Sequence, residues 1–445
     1  DETSIAYLLP VVVKGLLGFK VTQVCCGGQH AAVLIKSGEI YTWGKGGYGR
    51  LGHGDQKNVK NPKLVEALTK AKIPCVQVAC GFAYTAAVTA DNSIYTWGAG
   101  ENGRLGHGDV MDKFLPTEIV QLRGKVKMVY AGSVHTCSLT TDGVAYSFGK
   151  FEYTGHNAAT DILEPKKIMA FEGRPIESIS VGPGGYHTIA LSKEKRVYTW
   201  GHNRVGQLGY RNYGSVPKNS EGAFFQPVPQ EVVSLRNKNI NQVVAGWGHS
   251  AAVTKDGQLY VCGRNKQGQL GLGHPDNFPL NERGHPYLPY FKLVESLSDV
   301  KVAQIACGGE HSVVRSYNSS AIYSFGAGHQ GQLGHGKGNN QSEFLPKLVE
   351  DLSKTGRKML HIGCGNNCTL ILAGEIIIPL LSELCLNIIH SDPELTEQLK
   401  QISSILNMKA ANEYKPRYVS NQISDSSSEI HSEETSESDG SAVYR

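Results

Sequence analysis

The sequence lacks any apolar run long enough to cross a membrane. Within its 445 residues no stretch reaches the roughly 18 apolar residues that define a candidate membrane-spanning helix. Its first residues also lack a basic segment followed by an apolar core, so we expect no secretory signal peptide. These absences lead us to expect an intracellular protein of the cytoplasm, the nucleus or both, with no membrane span.

Sequence patterns that carry common catalytic chemistry are missing as well. There is no paired-carboxylate arrangement, nucleophile elbow, H-E-x-x-H motif or P-loop. The pattern G-x-G-x-x-G occurs at residues 44–49, 98–103 and 326–331, but each copy continues into Leu-Gly-His-Gly and not into a helix that could receive a pyrophosphate. Positive φ angles in a loop are the expected use of these glycines. We therefore predict neither an enzyme nor a bound cofactor or metal.

The charge imbalance is small. A net charge of +4 over the whole chain does not indicate nucleic acid as a direct ligand. The acidic residues near the C-terminus leave the rest of the chain somewhat more basic, which hints at an acidic partner. Helical apolar periodicity is also missing from residues 21–372, so helices are not expected there.

What the sequence has in abundance is a Gly-centred motif, here named the knot, which recurs seven times. The copies are CGGQH, CGFAY, AGSVH, VGPGGYH, AGWGH, CGGEH and CGNNC, and they end at residues 30, 84, 135, 187, 249, 311 and 368. A period of about 50 to 60 residues is typical of a solenoid or a propeller. Cysteine alternates with Ala and Val before the knot glycine, so we predict buried, reduced thiols there.

Each repeat predicts a small antiparallel sheet. An apolar stretch precedes the knot, an alternating stretch follows it, and a turn such as Thr141-Asp142-Gly143 leads to a strand ending in Trp-Gly or Phe-Gly. We predict an all-β, seven-bladed β-propeller of four-stranded antiparallel blades over residues 1–378. The seventh repeat lacks the Trp-Gly strand, so its last strand is either degenerate or supplied by another part of the chain. Residues 9–16 are a candidate for closing the ring.

Two segments follow the predicted propeller. Residues 379–412 show helical periodicity and predict a helical hairpin, whereas residues 413–445 are acidic, rich in serine and predicted to be disordered. Serines next to acidic residues are candidate sites for acid-directed kinases. These candidates are Ser426, Ser427, Ser428, Ser432, Ser436 and Ser438.

The repeats at residues 41–54 and 95–108, which read Y-T-W-G-x-G-x-x-G-R-L-G-H-G, resemble those of the regulator-of-chromosome-condensation repeat family. The resemblance covers roughly residues 10 to 378 and implies a seven-bladed propeller. The repeat sequences are most similar to those of HERC-type propeller domains. Members of this family include an exchange factor for the GTPase Ran, parts of ubiquitin ligases, ciliary regulators and a plant ultraviolet-B photoreceptor. Function must therefore be argued from sites and not from the fold.

Two candidate sites are not expected to bind a metal or to sense light. Five knots end in histidine, and we predict that each imidazole bonds to the neighbouring strand and binds no metal. A single knot carries tryptophan, Trp247, and Gly248 follows it where the photoreceptor has arginine. The clustered Trp and Arg that the photoreceptor resemblance would require are missing, so light sensing is not expected.

The irregular segments are the remaining candidates for function. Residues 210–227 and 272–291 are long and mix aromatic residues, Arg and Pro, which are typical of protein interfaces. The predicted partner surface comprises Tyr213, Phe224, Phe225, Trp247, Arg283, Tyr287, Tyr290 and Phe291. We predict a monomeric, non-catalytic protein-interaction propeller, a regulatory or scaffold module whose partner is a small GTPase or a ubiquitin-ligase substrate.

The alternative is a guanine-nucleotide exchange factor for a Ran-like small GTPase. In the family, exchange implies a wedge that one blade inserts toward the bound nucleotide. The corresponding third-repeat stretch, residues 150–165, is short and shows no evident wedge hairpin.

Overall fold

A computed structural model describes residues 9–210, 216–219, 222–317, 321–336, 341–376 and 442–444. The predicted helical hairpin and the six candidate phosphorylation sites lie outside these residues. Most of the regular secondary structure in the described part is β-strand, and none of its helices is long and apolar enough to span a membrane.

Six repeats each form one four-stranded antiparallel sheet whose strands lie in chain order. Blade 1 contains β1 (Val21–Cys26), β2 (His30–Ile35), β3 (Ile40–Gly44) and β4 (Val59–Leu64). Blade 2 contains β5 (Cys75–Cys80), β6 (Tyr84–Thr89), β7 (Ile94–Gly98) and β8 (Lys113–Glu118). Blade 3 contains β9 (Val126–Ala131), β10 (His135–Thr140), β11 (Ala145–Gly149) and β12 (Ile162–Lys167).

The next three blades repeat this order. Blade 4 contains β13 (Ile176–Val181), β14 (His187–Ser192), β15 (Val197–His202) and β16 (Phe225–Glu231). Blade 5 contains β17 (Ile240–Ala245), β18 (His249–Thr254), β19 (Leu259–Arg264) and β20 (Tyr287–Leu293). Blade 6 contains β21 (Val302–Cys307), β22 (His311–Ser316), β23 (Ile322–Gly326) and β24 (Glu343–Leu348).

Short helices lie in the connections. The α-helices are α1 (Glu66–Lys70), α2 (Phe151–Thr154) and α3 (Glu350–Ser353). The single 3₁₀ turns are Lys14–Leu16, Gly47–Gly49, Glu101–Gly103, Val120–Leu122, Met169–Phe171, Val233–Leu235, Pro275–Asn277 and Glu295–Leu297.

The prediction of seven four-stranded blades was wrong, because the described residues form six. The difference lies in the seventh repeat. This repeat forms a three-stranded sheet, the seventh sheet, from β25 (Arg357–Cys364), β26 (Thr369–Ile376) and β27 (Ala442–Tyr444). Among the described residues no strand ending in Trp-Gly follows β26, and residues 442–444 supply the third strand. Residues 442–444 also lie in the segment predicted to be disordered, and there they form a strand.

The candidate closing segment at residues 9–16 does lie at this junction. A Cβ atom added at Gly336 of blade 6 would lie 2.9 Å from Leu9 Cδ2, and one at Gly334 would lie 3.5 Å from Pro10 Cγ. Val12 packs against the core that blade 6 shares with the seventh sheet. The first described residues of the chain thus cover the last repeat.

The apolar core of the described residues is divided into clusters that lie between neighbouring sheets. Within the described residues each apolar cluster combines residues of two neighbouring sheets, and one cluster joins Trp43 of blade 1 to Leu370 of the seventh sheet. Trp97 and Trp200 are fully buried, as their exchange with Phe in other repeats predicts. Because each sheet buries both faces against its neighbours, no repeat has a complete core by itself.

Backbone hydrogen bonds join six of the seven neighbouring pairs of knots. In each, a knot amide donates to a glycine carbonyl of the next knot. They are Gly28 to Gly81 (3.2 Å), Phe82 to Gly132 (3.0 Å), Ser133 to Gly185 (3.2 Å), Trp247 to Gly308 (3.1 Å), Gly309 to Gly365 (3.3 Å) and Asn366 to Gly27 (3.1 Å). The last of these connects the seventh knot to the first. Between the fourth and fifth repeats the Ala245 amide donates instead to Ser180 Oγ at 3.0 Å.

The knot histidines bond to the next sheet, which confirms the predicted structural role. His30 Nε2 lies 2.9 Å from Thr85 Oγ1, and that hydroxyl donates to the Arg50 carbonyl at 2.7 Å. A hydroxyl has one proton, so the imidazole must donate from Nε2. The equivalent contacts join His135 to Thr188, His187 to Ser250, His249 to Ser312 and His311 to Thr369.

Candidate protein-binding surface

The knots and the connections between the third and fourth strands share one face of the ring, here named the knot face. The first strand of a blade runs into the knot, and the third strand, parallel to it, ends at the same side. In blades 4 and 5 these connections run from 203 to 224 and from 265 to 286, whereas those of blades 1 and 2 cover only 45–58 and 99–112. The knot face thus carries longer connections at blades 4 and 5 than at blades 1 and 2.

Both long connections end in the same small hairpin. Finger 4 is residues 217–225, of which 220 and 221 are not described, and finger 5 is residues 279–287. The Phe225 amide donates to the Pro217 carbonyl at 3.0 Å, and the Tyr287 amide donates to the Pro279 carbonyl at 3.1 Å. Isolated β-bridges follow, between residues 218 and 224 and between residues 280 and 286.

One asparagine in each finger fixes its tip. Asn219 Oδ1 accepts from the Ala223 amide at 2.8 Å, and Asn281 Oδ1 accepts from the His285 amide at 2.9 Å. The sequence signal for both fingers is P-x-N-x-x-G-x-x-[FY], which is present twice in the chain and which the sequence analysis missed. Asn side chains that bond to the backbone are typical of tight turns.

The two fingers belong to one surface. Asn281 Nδ2 of finger 5 donates to the Arg204 carbonyl of blade 4 at 3.1 Å. Lys218 Nζ of finger 4 lies 3.6 Å from Glu282 Oε1 of finger 5. The two connections are therefore in direct contact.

Trp247 lies on the same face and differs from the other tryptophans. Its side chain is 37% exposed, whereas Trp43, Trp97 and Trp200 are buried. Arg264 Cζ is 5.0 Å from the centre of the Trp247 ring, and Arg264 Nη2 is 3.1 Å from Glu310 Oε1. Stacking and the ion pair hold the guanidinium in one orientation, and the guanidinium in turn fixes the indole.

The charges of four cations on this surface act on the pKa values of two histidines. Burial lowers the pKa of His285, and the charges of Arg264, Lys266 and Arg283 lower that pKa further. Burial also lowers the pKa of His202 to about 4, with Arg204 and Arg283 as additional causes. We name Arg204, Arg264, Lys266 and Arg283 the cationic cluster.

A sequence pattern shared by blades 4 and 5 contains three of these cations, and it was not among the predicted motifs. Arg204 follows Gly-His-Asn, and Arg264 and Lys266 flank Asn265, so both blades read G-[HR]-N-[RK] after the third strand. The other blades read Gly-Lys-Gly-Gly, Gly-Ala-Gly-Glu, Gly-Lys-Phe-Glu and Gly-Ala-Gly-His at this position.

The structure separates the predicted contact residues into three groups. Trp247 and Arg283 are exposed, and Phe225, Tyr287 and Tyr290 are half-buried. Phe224 and Phe291 are corrected, because only 8% and 7% of these residues are exposed. Tyr213 lies outside the described residues.

Packing explains the two buried rings. Phe224 lies beneath Lys218, whose Nζ is 4.4 Å from the ring centre, and it serves as the base of finger 4. Phe291 belongs to the core that blades 4 and 5 share, together with Cys262. Aromatic side chains in these segments thus stabilise the fingers from below.

The third-blade segment lies flat. Residues 150–165 contain α2, in which Glu152 is buried with its Oε2 atom 3.4 Å from Lys150 Nζ. The Asn157 amide donates to the Pro227 carbonyl of blade 4 at 3.2 Å. No hairpin projects from this segment, all of which the structure describes.

This chain belongs to the RCC1-like domain family, whose model matches residues 1–371. It is 34% identical over 361 residues to the ultraviolet-B receptor UVR8 of Arabidopsis thaliana, a match that covers 80% of this chain and 76% of the receptor. It is 32% identical over 365 residues to the human E3 ubiquitin-protein ligase HERC2, covering 81% of this chain but only 7% of the ligase.

Solved structures agree on the fold. Prp20p of Saccharomyces cerevisiae has a TM-score of 0.67 at 21% identity, with 86% of each chain covered. Human WBSCR16 has a TM-score of 0.67 at 20% identity, with 80% of this chain and 87% of that chain covered. These structural similarities establish the fold and nothing about function.

Proposed function

We propose that this protein is a non-catalytic interaction propeller that docks a partner protein on the knot face over blades 4 and 5. The observation that carries this proposal is the pair of matching fingers, which stand side by side next to the half-exposed Trp247. Regulatory and scaffold roles need only such a surface on a stable frame.

The chemistry of the surface supports the proposal. Tryptophan, tyrosine and arginine supply most of the binding energy in protein interfaces, and Trp247, Tyr287 and Arg283 all lie here. The internal hydrogen bonds of each finger order it before a partner arrives, which lowers the entropy cost of binding.

Affinity capture tests this proposal. Residues 217–225 and 279–287 are replaced by Gly-Ser segments, and proteins recovered from cell extracts are compared with those bound by the unchanged protein. The matched control is Tyr48→Gly, which removes another exposed aromatic side chain from the knot face, in blade 1. We expect specific partners to be lost with the finger variant and retained with the control. An unchanged set of partners for a folded finger variant would refute the proposed surface.

Nucleotide exchange on a small GTPase is the competing function. The solved structure of Prp20p is described together with its binding to Gsp1p and histones, but at 21% identity that property does not transfer. The flat third-blade segment does not favour a wedge. Release of mant-GDP from a panel of small GTPases tests this function directly, and strong acceleration by this protein would favour exchange over scaffolding.

A further inference from the structure

We infer that the partner contributes an acidic peptide segment, which lies across the cationic cluster beside Trp247 and finger 5. This inference rests on the proposed function and adds the chemistry of the ligand to it.

Charge balance is the first support. The described part of this surface carries five cations, namely the cationic cluster and Lys218, against the three carboxylates of Asp276, Glu282 and Glu310. Glu282 is paired with Lys218 and Glu310 with Arg264, and Asp276 Oδ2 lies 3.3 Å from His274 Nδ1. Lys266 and Arg283 are exposed and make no salt bridge within the described part of the chain. Two cations therefore remain available to carboxylates of a partner.

Preorganisation is the second support. Arg264 is stacked on Trp247 and bonded to Glu310, so its position is set before binding. Asn281 Oδ1 accepts from the Arg283 amide at 3.0 Å, which fixes the backbone of finger 5 beneath that side chain. Cations held in place lose less entropy when they pair with a carboxylate than cations on mobile loops.

His285 adds to the preference for an anion. Burial lowers the pKa of its imidazole, and the charges of Arg264, Lys266 and Arg283 lower that pKa further. A carboxylate that approaches these cations offsets part of the repulsion between them. Relief of this repulsion therefore contributes to the binding free energy.

A protein segment fits this surface better than a nucleic acid. Glu282 and Glu310 are interspersed with the cations and would repel a continuous line of phosphates. Acidic side chains along an extended peptide are discrete and can alternate with apolar ones. The exposed edge of the Trp247 indole offers an apolar contact between the charges.

Fluorescence anisotropy with a labelled peptide of Gly-Glu-Glu-Leu repeats tests the inference on the purified full chain. The matched probe has Gly-Gln-Gln-Leu repeats. We expect binding of the acidic peptide that weakens as salt rises, and at least about tenfold weaker binding of the neutral peptide. Equal affinity for the two peptides, or tighter binding of a single-stranded oligonucleotide than of the acidic peptide, would overturn the inference.

Charge reversal locates the site. The double variant Lys266→Glu with Arg283→Glu changes only exposed side chains, so the protein should remain folded. We expect it to bind the acidic peptide at least about tenfold more weakly, whereas Lys45→Glu, an exposed lysine on the knot face of blade 1, leaves binding unchanged. Loss of binding in the Lys45 control, or full binding by the double variant, would contradict the assigned site.

The same variants separate this inference from the proposed function. If Gly-Ser fingers abolish capture of partners while the double charge variant retains it, docking stands and the acidic ligand is refuted. If both variants retain the partners, both proposals fail.

Discussion

The backbone amide of Asn366 donates a hydrogen bond of 3.1 Å to the carbonyl oxygen of Gly27, and this bond joins the last knot of the chain to the first. The apolar cluster that joins blade 1 to the seventh sheet lies at the same junction. Closure thus combines backbone bonds with shared cores, although the seventh sheet is smaller than the six blades.

Gly365, beside Asn366, has no room for a side chain at this junction. A Cβ atom there would lie 2.5 Å from the Gly27 carbonyl oxygen and 2.7 Å from Cys26 Cβ. We expect Gly365→Ala to lower the free energy of unfolding by about 1 to 3 kcal/mol, measured by urea titration. Gly47→Ala, whose Cβ would meet only the end of the Arg50 side chain at 3.6 Å, is the control and should cost less than about 0.5 kcal/mol.

Glutamine side chains link the inner strands of neighbouring blades. Gln77 Nε2 donates to the Val129 carbonyl at 2.9 Å, and the Val129 amide donates to Gln77 Oε1 at 2.7 Å. Gln77→Leu leaves both buried backbone groups without these partners, so we expect a loss of about 1 to 3 kcal/mol in chemical unfolding.

The control for this prediction is Met128→Leu, because Met128 is the equivalent residue in the inner strand of blade 3. A volume-conserving apolar exchange should cost less than about 1.5 kcal/mol. Equal effects of the two substitutions would show that the glutamine bonds contribute nothing specific.

Acidification should destabilise the ring through the knot histidines. Burial lowers the pKa of His135 to about 3, and it does the same for His30, His187 and His249. Imidazoles in the unfolded chain take up protons near pH 6.5, whereas the folded imidazoles stay neutral. The stability that the neutral imidazoles contribute is therefore fully present above that pH and is lost as the pH falls. Each contributes a slope of about 1.4 kcal/mol per pH unit between these values.

Urea unfolding at several pH values between 7.5 and 5 measures this slope. Carboxylates titrate mostly below this range, so histidine dominates it. His135→Asn should reduce the slope by about one proton while circular dichroism confirms that the protein is folded. A free energy of unfolding that does not change with pH would exclude neutral buried imidazoles.

The third strand of the seventh sheet should protect β26. Residues 442–444 pair with Ala373, Leu372 and Ile371, so removal of residues 440–445 leaves that edge of β26 unpaired. We expect amide hydrogen exchange across residues 371–373 to rise at least about tenfold, while exchange in β2 of blade 1 stays the same. Unchanged protection of 371–373 would show that this strand is not held in solution.

Local patterns predicted much of the frame. Knots, turns and Trp-Gly strands placed most strands because each repeat uses the same residues for the same backbone path, and positive φ angles at Gly44 and Gly49 agree with the loop prediction. Trp247 and Arg283 were predicted as contact residues because aromatic residues and arginine stand out in irregular segments, and both are exposed. Phe224 and Phe291 were misjudged because composition does not reveal which side of a loop faces the core.

The repeat period and the order of turn and strand residues were enough to establish a ring of antiparallel sheets, because short strands of this kind are stable only against neighbours. Long-range pairing was beyond such patterns. The sequence could not show that residues 442–444 complete the seventh sheet, or that two fingers and a cationic cluster from different repeats meet beside Trp247. Those contacts join residues far apart in the chain, and they depend on the angle between blades, which no local stretch of sequence encodes.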